Sequence, residues 1–466
     1  MTSDVGNEGA LNLTRTLAEQ AAGRTYAALT DDQRALVRQC VLDYIAVTLA
    51  GARDNAPSAI LAELAEMGGA PDATIFGRGL KLPALSAALV NGTASHALDF
   101  DDVNMTMPGH VTVAVLPGIL ALGEARSASG KAVMEAFVAG YELSCQVGAA
   151  VAPGHYRQTG FHATGTIGAL GAAASAGRLM CLPADAMATA IGIAVTEAAG
   201  LKSLFGTDCK PFHAGKAAQN GLLAARLAAR GMTSRSDAIE CHQGFADTHS
   251  PTFDAAQAFA PPAAGPLHLH DNLFKYHAAC YLTHAAIDAC RALKRAHNLV
   301  PDRVGRVVLR LDESLDRICN VASPKSGLEA KFSLRQTAAM ALAGVDTSGL
   351  VSYSAETAND PRLVALRQKV EIEFVSGWSQ TRTAVEIETT DGAQFQAEHD
   401  AGIAATDIAG QGQRLVEKFT ALVEPLYGTT RCSEIIALVN RLDELTDVGT
   451  LAAACRAETA VLSRAA

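Results

Sequence analysis

The chain has 466 residues, of which 49% are hydrophobic and only 5% aromatic, and it carries a formal net charge of −10. That length exceeds one ordinary hydrophobic core, so two domains are expected, packed mainly through Ala, Leu, Val and Ile. The acidic balance argues against nucleic acid or an acidic membrane surface as partner, while leaving room for a local cationic pocket that takes a small anion.

The amino-terminal stretch MTSDVGNEGALNLTRTLAEQ has no basic segment followed by an apolar one, so no secretory signal is expected. No run reaches the roughly 18 to 20 apolar residues of a membrane span. The 10 cysteines are scattered with no C-x-x-C pair, the usage of a reduced compartment. The expected setting is cytoplasmic.

From about residue 12 to 265 the pattern is helical. DDQRALVRQCVLDYIAVTLAG (31–51) opens on acids suited to a helix N-terminus and closes on Gly51. Further helices are expected near 82–98, 111–127, 130–150, 166–180, 184–200 and 215–231, many rich in Gly and Ala. FAPPAAGPLH (259–268) is a Pro/Gly-rich break. After it the period changes: RVGRVVLRLD (303–312), KVEIEF (369–374) and TAVEIETTDGAQFQAEHD (383–400) read as strands, the last a hairpin about Asp391-Gly392. Helical segments are expected at 276–296, 329–345 and 358–368, and again from about 404. The fold class is therefore mainly α with a smaller α/β (α+β) part. A large helical domain, 1–267 and 403–466, is formed by both chain ends, and the α/β domain is inserted at 268–402.

Four clusters carry ionisable chemistry. HALDFDDVNMTMPGHVTV (96–113) holds Asp99, Asp101 and Asp102 between His96 and His110. A metal site, an acid/base site and a helix cap all suit such a run. The helical half holds no second acidic run to face it, as Mg²⁺ sites of this kind on helical enzymes require. Asp99, nearest the apolar segment, is the acid expected to be buried and paired. HYRQTGFHATGTIGALG (155–171) sets His162 before a Thr/Gly turn that opens a helix, where free amides can hold a carboxylate, though a core histidine has the same spacing. FGTDCKPFHAGKAAQNG (205–221) sets Lys210, His213 and Lys216 around a helix start, either as anion ligands or as surface cations. DNLFKYHAACYLTHAAIDA (271–289) contains Lys275, His277, Cys280 and His284. Cations and imidazoles at helix starts suit a polycarboxylate substrate and abstraction of a proton α to a carboxylate, because fixed cations stabilise the charge that develops. No G-x-G-x-x-G, P-loop or G-x-S-x-G is present, so neither a nucleotide nor a serine-hydrolase reading is supported.

The segments NGTASHALDFDD, GFHATGTIGALGAAASAGRL, GTDCKPFHAGKAAQNGLLAARLAARGMT, KYHAACYLTHAAIDA and SGLEAKFSLRQTAAMAL together resemble the MmgE/PrpD family, in order and over most of the chain. The family includes 2-methylcitrate dehydratase, cis-aconitate decarboxylase and iminodisuccinate epimerase. The resemblance implies a helical domain completed by both chain ends, a smaller lid domain, a homodimer, and chemistry without metal or other cofactor in a cleft between domains. It implies a cleft lined by Asp99, His110, His162, Lys210 and Lys275. Asp99 would orient or tune a neighbouring Lys or His, and Asp101 and Asp102 would be structural. Lys210, Lys275, His162 and Cys280 would contact a small anionic polycarboxylate.

Three departures from the family pattern bear on the reaction. The chain reads GHVT where many members read His-Pro-Ser, Val103 stands where many have Thr, and Cys280 stands where the decarboxylase branch has His. The expected activity is a cofactor-independent lyase of dehydratase type on a 2-methylcitrate-like hydroxy acid. The alternative is an epimerase or isomerase of an amino- or imino-dicarboxylate, with cis-aconitate-type decarboxylation ranked below both.

Overall fold

The computed structural model describes residues 12–152 and 154–457. It divides into two compact units. The first runs to Asn272 and includes Ile408–Gly412 and the chain from Val423. The second comprises Leu273–Asp407 and Gln413–Leu422.

The first unit is helical: α1 (Leu13–Ala22), α2 (Asp31–Gly51), α3 (Asn55–Met67), α4 (Ala84–His96), α5 (Thr112–Ala125), α6 (Gly130–Val151), α7 (Ala163–Leu179), α8 (Ala184–Glu197), α9 (Cys209–Ala228) and the short α10 (Phe245–His249). Between α3 and α4 lies a two-stranded ribbon, β1 (Ala73–Thr74) and β2 (Lys81–Leu82). α2 begins where the acids suggested, closed by a capping box in which Thr30 and Gln33 bond each other's backbone amides. α9 begins at Cys209, six residues before the expected start. Pro211 falls in its first turn, where no amide is needed for an intrahelical bond, so the proline opens the helix instead of delaying it.

The Gly/Ala richness has a geometric cause. α4 crosses α9 so closely that a Cβ on Gly92 would lie 2.7 Å from the Gly215 Cα, and one on Gly215 would lie 2.3 Å from the Leu89 carbonyl oxygen. α6 meets α7 the same way at Gly140 and Gly171. Thr112–Gly123 of α5 and Ala163–Gly177 of α7 are buried along their whole length. Small residues bring these axes together, and the ends of α4, α7 and α9 and the start of α5 then carry the polar side chains described below.

The second unit is built on a four-stranded sheet of order β4-β3-β5-β6, with β3 (Val304–Asp312), β4 (Val370–Val375), β5 (Arg382–Thr389) and β6 (Gln394–Asp400). β3 pairs parallel to β4 and antiparallel to β5, with Leu309 opposite Ile372 and Val385. The β5–β6 hairpin turns at Gly392, whose φ of +86° a side chain would resist. α11 (His284–His297) covers one face of the sheet, followed in the chain by the short α12 (Asp316–Cys319) and α13 (Gly327–Lys331) and by α14 (Leu334–Ala343). Ile287, Leu309, Leu334, Ala338, Val385 and Ile387 belong to its apolar core.

The expected helix at 276–296 begins only at 284. The amides of Ala278 and Cys280 instead donate to the carbonyls of Thr347 and Lys331, which holds the preceding segment extended. The C-terminal stretch Ile408–Asn440 is broken at Gly428, with φ of 81°. No single helix among the described residues is long and apolar enough to cross a membrane.

Candidate active site

The last turn of α4 supplies His96, and the chain then leaves the helix through Asp99, whose φ of +50° is a left-handed conformation that Asp tolerates better than most residues. The following loop closes on itself through paired backbone bonds between Asn104 and Gly109. The Asn104 side-chain amide donates to the Tyr141 hydroxyl and the His268 carbonyl. The loop ends at His110, whose amide donates to Thr164 Oγ1 at 2.9 Å on α7. His162 is the residue that caps α7, and Lys210 and His213 lie three apart on the first turns of α9.

These elements bring seven ionisable groups together. His96 Nδ1 lies 3.0 Å from both Asp101 oxygens, and His110 Nδ1 lies 2.7 Å from Asp101 Oδ2. Lys210 Nζ stands 2.8 Å from Asp99 Oδ1, with His110 Nε2 at 3.7 Å from the same oxygen. His162 Nδ1 and His213 Nδ1 are 3.0 Å apart, so one donates and the other accepts. The His96 ring lies 4.5 Å from that of His110 and 5.8 Å from that of His162, centroid to centroid. Phe205 presents its face to Lys210 and meets His162 edge-on.

Burial sets the charge states. Desolvation, reinforced by His110 and Lys210, lowers His96 to about 4 even though Asp101 pulls the other way. It takes His162 well below the usual histidine range and lowers His213. Asp101 is held well below the carboxylate range: burial opposes ionisation, but His110 and His96 together outweigh it. At neutral pH His96, His162 and His213 are therefore neutral around an ionised buried acid. Behind it, Asp102 accepts from Thr112 Oγ1 at 2.6 Å and Asn272 Nδ2 at 2.8 Å. Burial first, then Asp43, raises Asp102 to about 7.

The roles of the acids are reversed from the burial expected of them. Asp99 is the half-exposed one, with 52% of its side chain accessible, whereas Asp101 and Asp102 are 1% exposed. The left-handed turn at Asp99 carries it out toward the lysine and folds the next acids inward.

Of the residues singled out in the sequence, Asp99, His110, His162 and Lys210 converge in the first unit. Lys275 and Cys280 belong to the second unit. Cys280 packs against that unit's apolar core, and its thiol is the hydrogen-bond partner of Cys319. His277 pairs with Thr347 and Asp288 in the same unit, and Lys216 bonds Gln219 on its own helix. His96, Asp101 and His213 join the cluster without having been assigned to it. His213 was legible as the i+3 neighbour of Lys210, and His96 as the mate of His110 across the acidic run.

His96, Asp99, Asp101 and His110 offer one donor atom each within 4.8 Å of one another, a spacing that a cation could use. Two features compete with it: the Lys210 ammonium already neutralises Asp99, and both Asp101 oxygens face imidazole nitrogens.

Buried imidazoles at helix ends, one ionised acid among them and a lysine at the margin are the equipment of an acid/base enzyme for anionic substrates. Comparison with known proteins agrees in class. The MmgE/PrpD N-terminal domain matches residues 15–258 and the MmgE/PrpD C-terminal domain residues 277–444. The chain belongs to the MmgE/PrpD family, and its relatives there are lyases. It is 29% identical over 393 residues to a cis-aconitate decarboxylase of Homo sapiens, covering 81% of each chain. It is 26% identical over 407 residues to a cis-aconitate decarboxylase of Aspergillus terreus (strain NIH 2624 / FGSC A1156), covering 81% of this chain and 82% of that one.

Proposed function

We propose that the protein is a cofactor-independent lyase that removes a proton α to a carboxylate of a small di- or tricarboxylate and expels a β-hydroxyl as water. The observation that carries this reading is the shared Asp101, which holds the Nδ1 sides of His96 and His110 while Lys210 stands at the margin.

His110 is the base of this scheme. With Nδ1 turned to Asp101, its Nε2 keeps a lone pair on the side of Lys210 and Asp99, and Asp101 stabilises the imidazolium that forms. A positioned base of this kind contributes roughly 10²- to 10⁴-fold. Lys210 binds the substrate carboxylate and stabilises the charge that builds on its oxygens as the Cα proton leaves. The electron pair left on Cα forms the double bond, the C–O bond breaks, and the His110 imidazolium gives the proton it took to the departing hydroxyl, which leaves as water. The neutral His162 ring, held through its Nδ1 contact with His213, donates a hydrogen bond to that hydroxyl as it leaves.

A second reading, decarboxylation of an unsaturated tricarboxylate, is favoured by the names of the relatives. It uses the same cation and the same charge on the substrate oxygens but breaks a C–C bond. The objection from Cys280, that a thiol replaces a proton-relaying histidine, loses weight because the thiol has a packing role beside Cys319.

Incubating the purified protein with 2-methylcitrate, citrate and cis-aconitate, while following alkene absorbance and released CO₂, tests both. Alkene from a hydroxy acid supports the dehydratase. CO₂ from cis-aconitate with no alkene from the hydroxy acids replaces it with the second reading. Activity lost on dialysis against a chelator and restored by a divalent metal would contradict the metal-free scheme.

A further inference from the structure

The four helices that bear the candidate site share a second feature at their opposite ends. α4 carries His96 at its C-terminus and begins at Ala84. α5 starts two residues after His110 and ends at Ala125, next to Arg126. α7 starts after His162 and ends beside Met180. α9 carries Lys210 in its first turn and leads to Arg226 and Arg230 in and just beyond its last. Those far ends line one cavity of about 410 Å³, with Asp72 also in its wall. At 1.5 Å per residue the length of α9 separates this cavity from Lys210 by roughly 25 Å.

Three arginines, Arg126, Arg226 and Arg230, line this cavity together with a single acid, Asp72. Among the described residues none of the three guanidiniums is engaged in an ion pair or a hydrogen bond. Arg126 and Arg230 are exposed and Arg226 is half-buried. The rest of the wall is apolar: Leu122, Met180 and the alanines at the helix ends.

We propose that this cavity is a binding site, distinct from the candidate active site, for a small organic anion bearing two or more phosphate groups. Guanidinium forks match phosphate oxygens in pairs, and three of them leave a local surplus of two positive charges in a protein whose net charge is −10. The volume lies within the range of small-molecule sites, and the apolar wall accommodates a carbon skeleton. Arginines at helix C-termini also complement the helix dipoles, a role that requires no ligand, and the experiment separates the two.

Inorganic pyrophosphate is titrated calorimetrically, with citrate as a polycarboxylate control, into the wild type, the double variant Arg126→Gln/Arg230→Gln and Lys210→Met. Both arginines of the double variant are exposed, so its fold should persist, and circular dichroism checks this. The proposal expects one pyrophosphate per chain, weakened at least tenfold in the double variant and unchanged in Lys210→Met. Arg226→Gln should weaken it likewise. Absence of binding up to 10 mM, binding untouched by the arginine substitutions, binding lost with Lys210, or citrate binding to Lys210→Met more tightly than pyrophosphate would each overturn it.

Discussion

Lys210 Nζ and Asp99 Oδ1 stand 2.8 Å apart, yet the acid is half exposed while the lysine side chain is mostly covered. An exposed carboxylate is a replaceable partner: it holds the ammonium in position, and a substrate carboxylate can take its place at small cost because neither charge must be newly desolvated. Lys210→Met removes that anchor. We expect kcat/KM to fall about a thousandfold, the effect of losing about 4 kcal/mol of transition-state stabilisation, with little change in Tm. Steady-state kinetics on the substrate identified by the panel above check this, and near-normal turnover would return Lys210 to a surface role.

The buried acid behind the cluster gives a pH-dependent prediction. Asp102 ionises near 3.8 when unfolded and near 7 when folded, so between those values the folded state binds the extra proton. Its contribution to stability is full below 3.8 and is lost as pH rises to about 7. His96, lowered to about 4, runs the opposite way: its contribution is present above 6.5 and is lost as pH falls. The two slopes mask each other in the wild type. Asp102→Asn keeps the acceptor for Thr112 and Asn272 but removes the charge, so its stability relative to wild type should improve between pH 5 and pH 8, by up to about 3 kcal/mol. Thermal denaturation at both pH values is the check; an equal Tm difference at the two would contradict it.

In the proposed reaction His213 acts through His162, which its ring touches. His213→Asn keeps a polar atom near the Nδ1 position and should retain most of kcat, whereas His213→Ala should lose ten- to a hundredfold in kcat with KM little changed. Equal losses in the two variants would reduce His213 to packing.

Cys280 should matter to the second unit and not to turnover. Cys280→Ala removes the Cys319 partner and some core contact, so a Tm decrease equivalent to about 1 kcal/mol is expected, with kcat and KM within twofold of wild type. A tenfold kinetic change would reinstate it as a substrate contact.

These residues also show what the sequence makes legible. α2 is written locally, in Thr30, Gln33 and the acids after them, and the β5–β6 hairpin is written in Asp391-Gly392. The Gly/Ala runs announce close helix packing, which Gly92 and Gly215 realise. The site was legible as a set of residue types at helix starts, because a helix start is a local event. What was not legible is orientation. The left-handed turn at Asp99 decides which acid turns inward, and it depends on the loop's anchorage to Tyr141 and His268, distant in the chain. Cys280 and Cys319 meet only through the fold of the second unit, and the backbone pairing of Ala278 and Cys280 with 347 and 331 displaced an expected helix for the same reason.

In the proposed reaction this site takes a proton from the carbon next to a carboxylate and retains the electron pair for elimination. Proton NMR of the wild type with 2-methylcitrate in deuterated water, with Lys210→Met alongside, tests it most directly. An alkene product is expected from the wild type, with no deuterium at the α-carbon of a substrate recovered with altered stereochemistry, and a rate about a thousandfold lower in the variant. Substrate recovered intact with neither alkene nor deuterium, across the hydroxy acids of the panel, would contradict it.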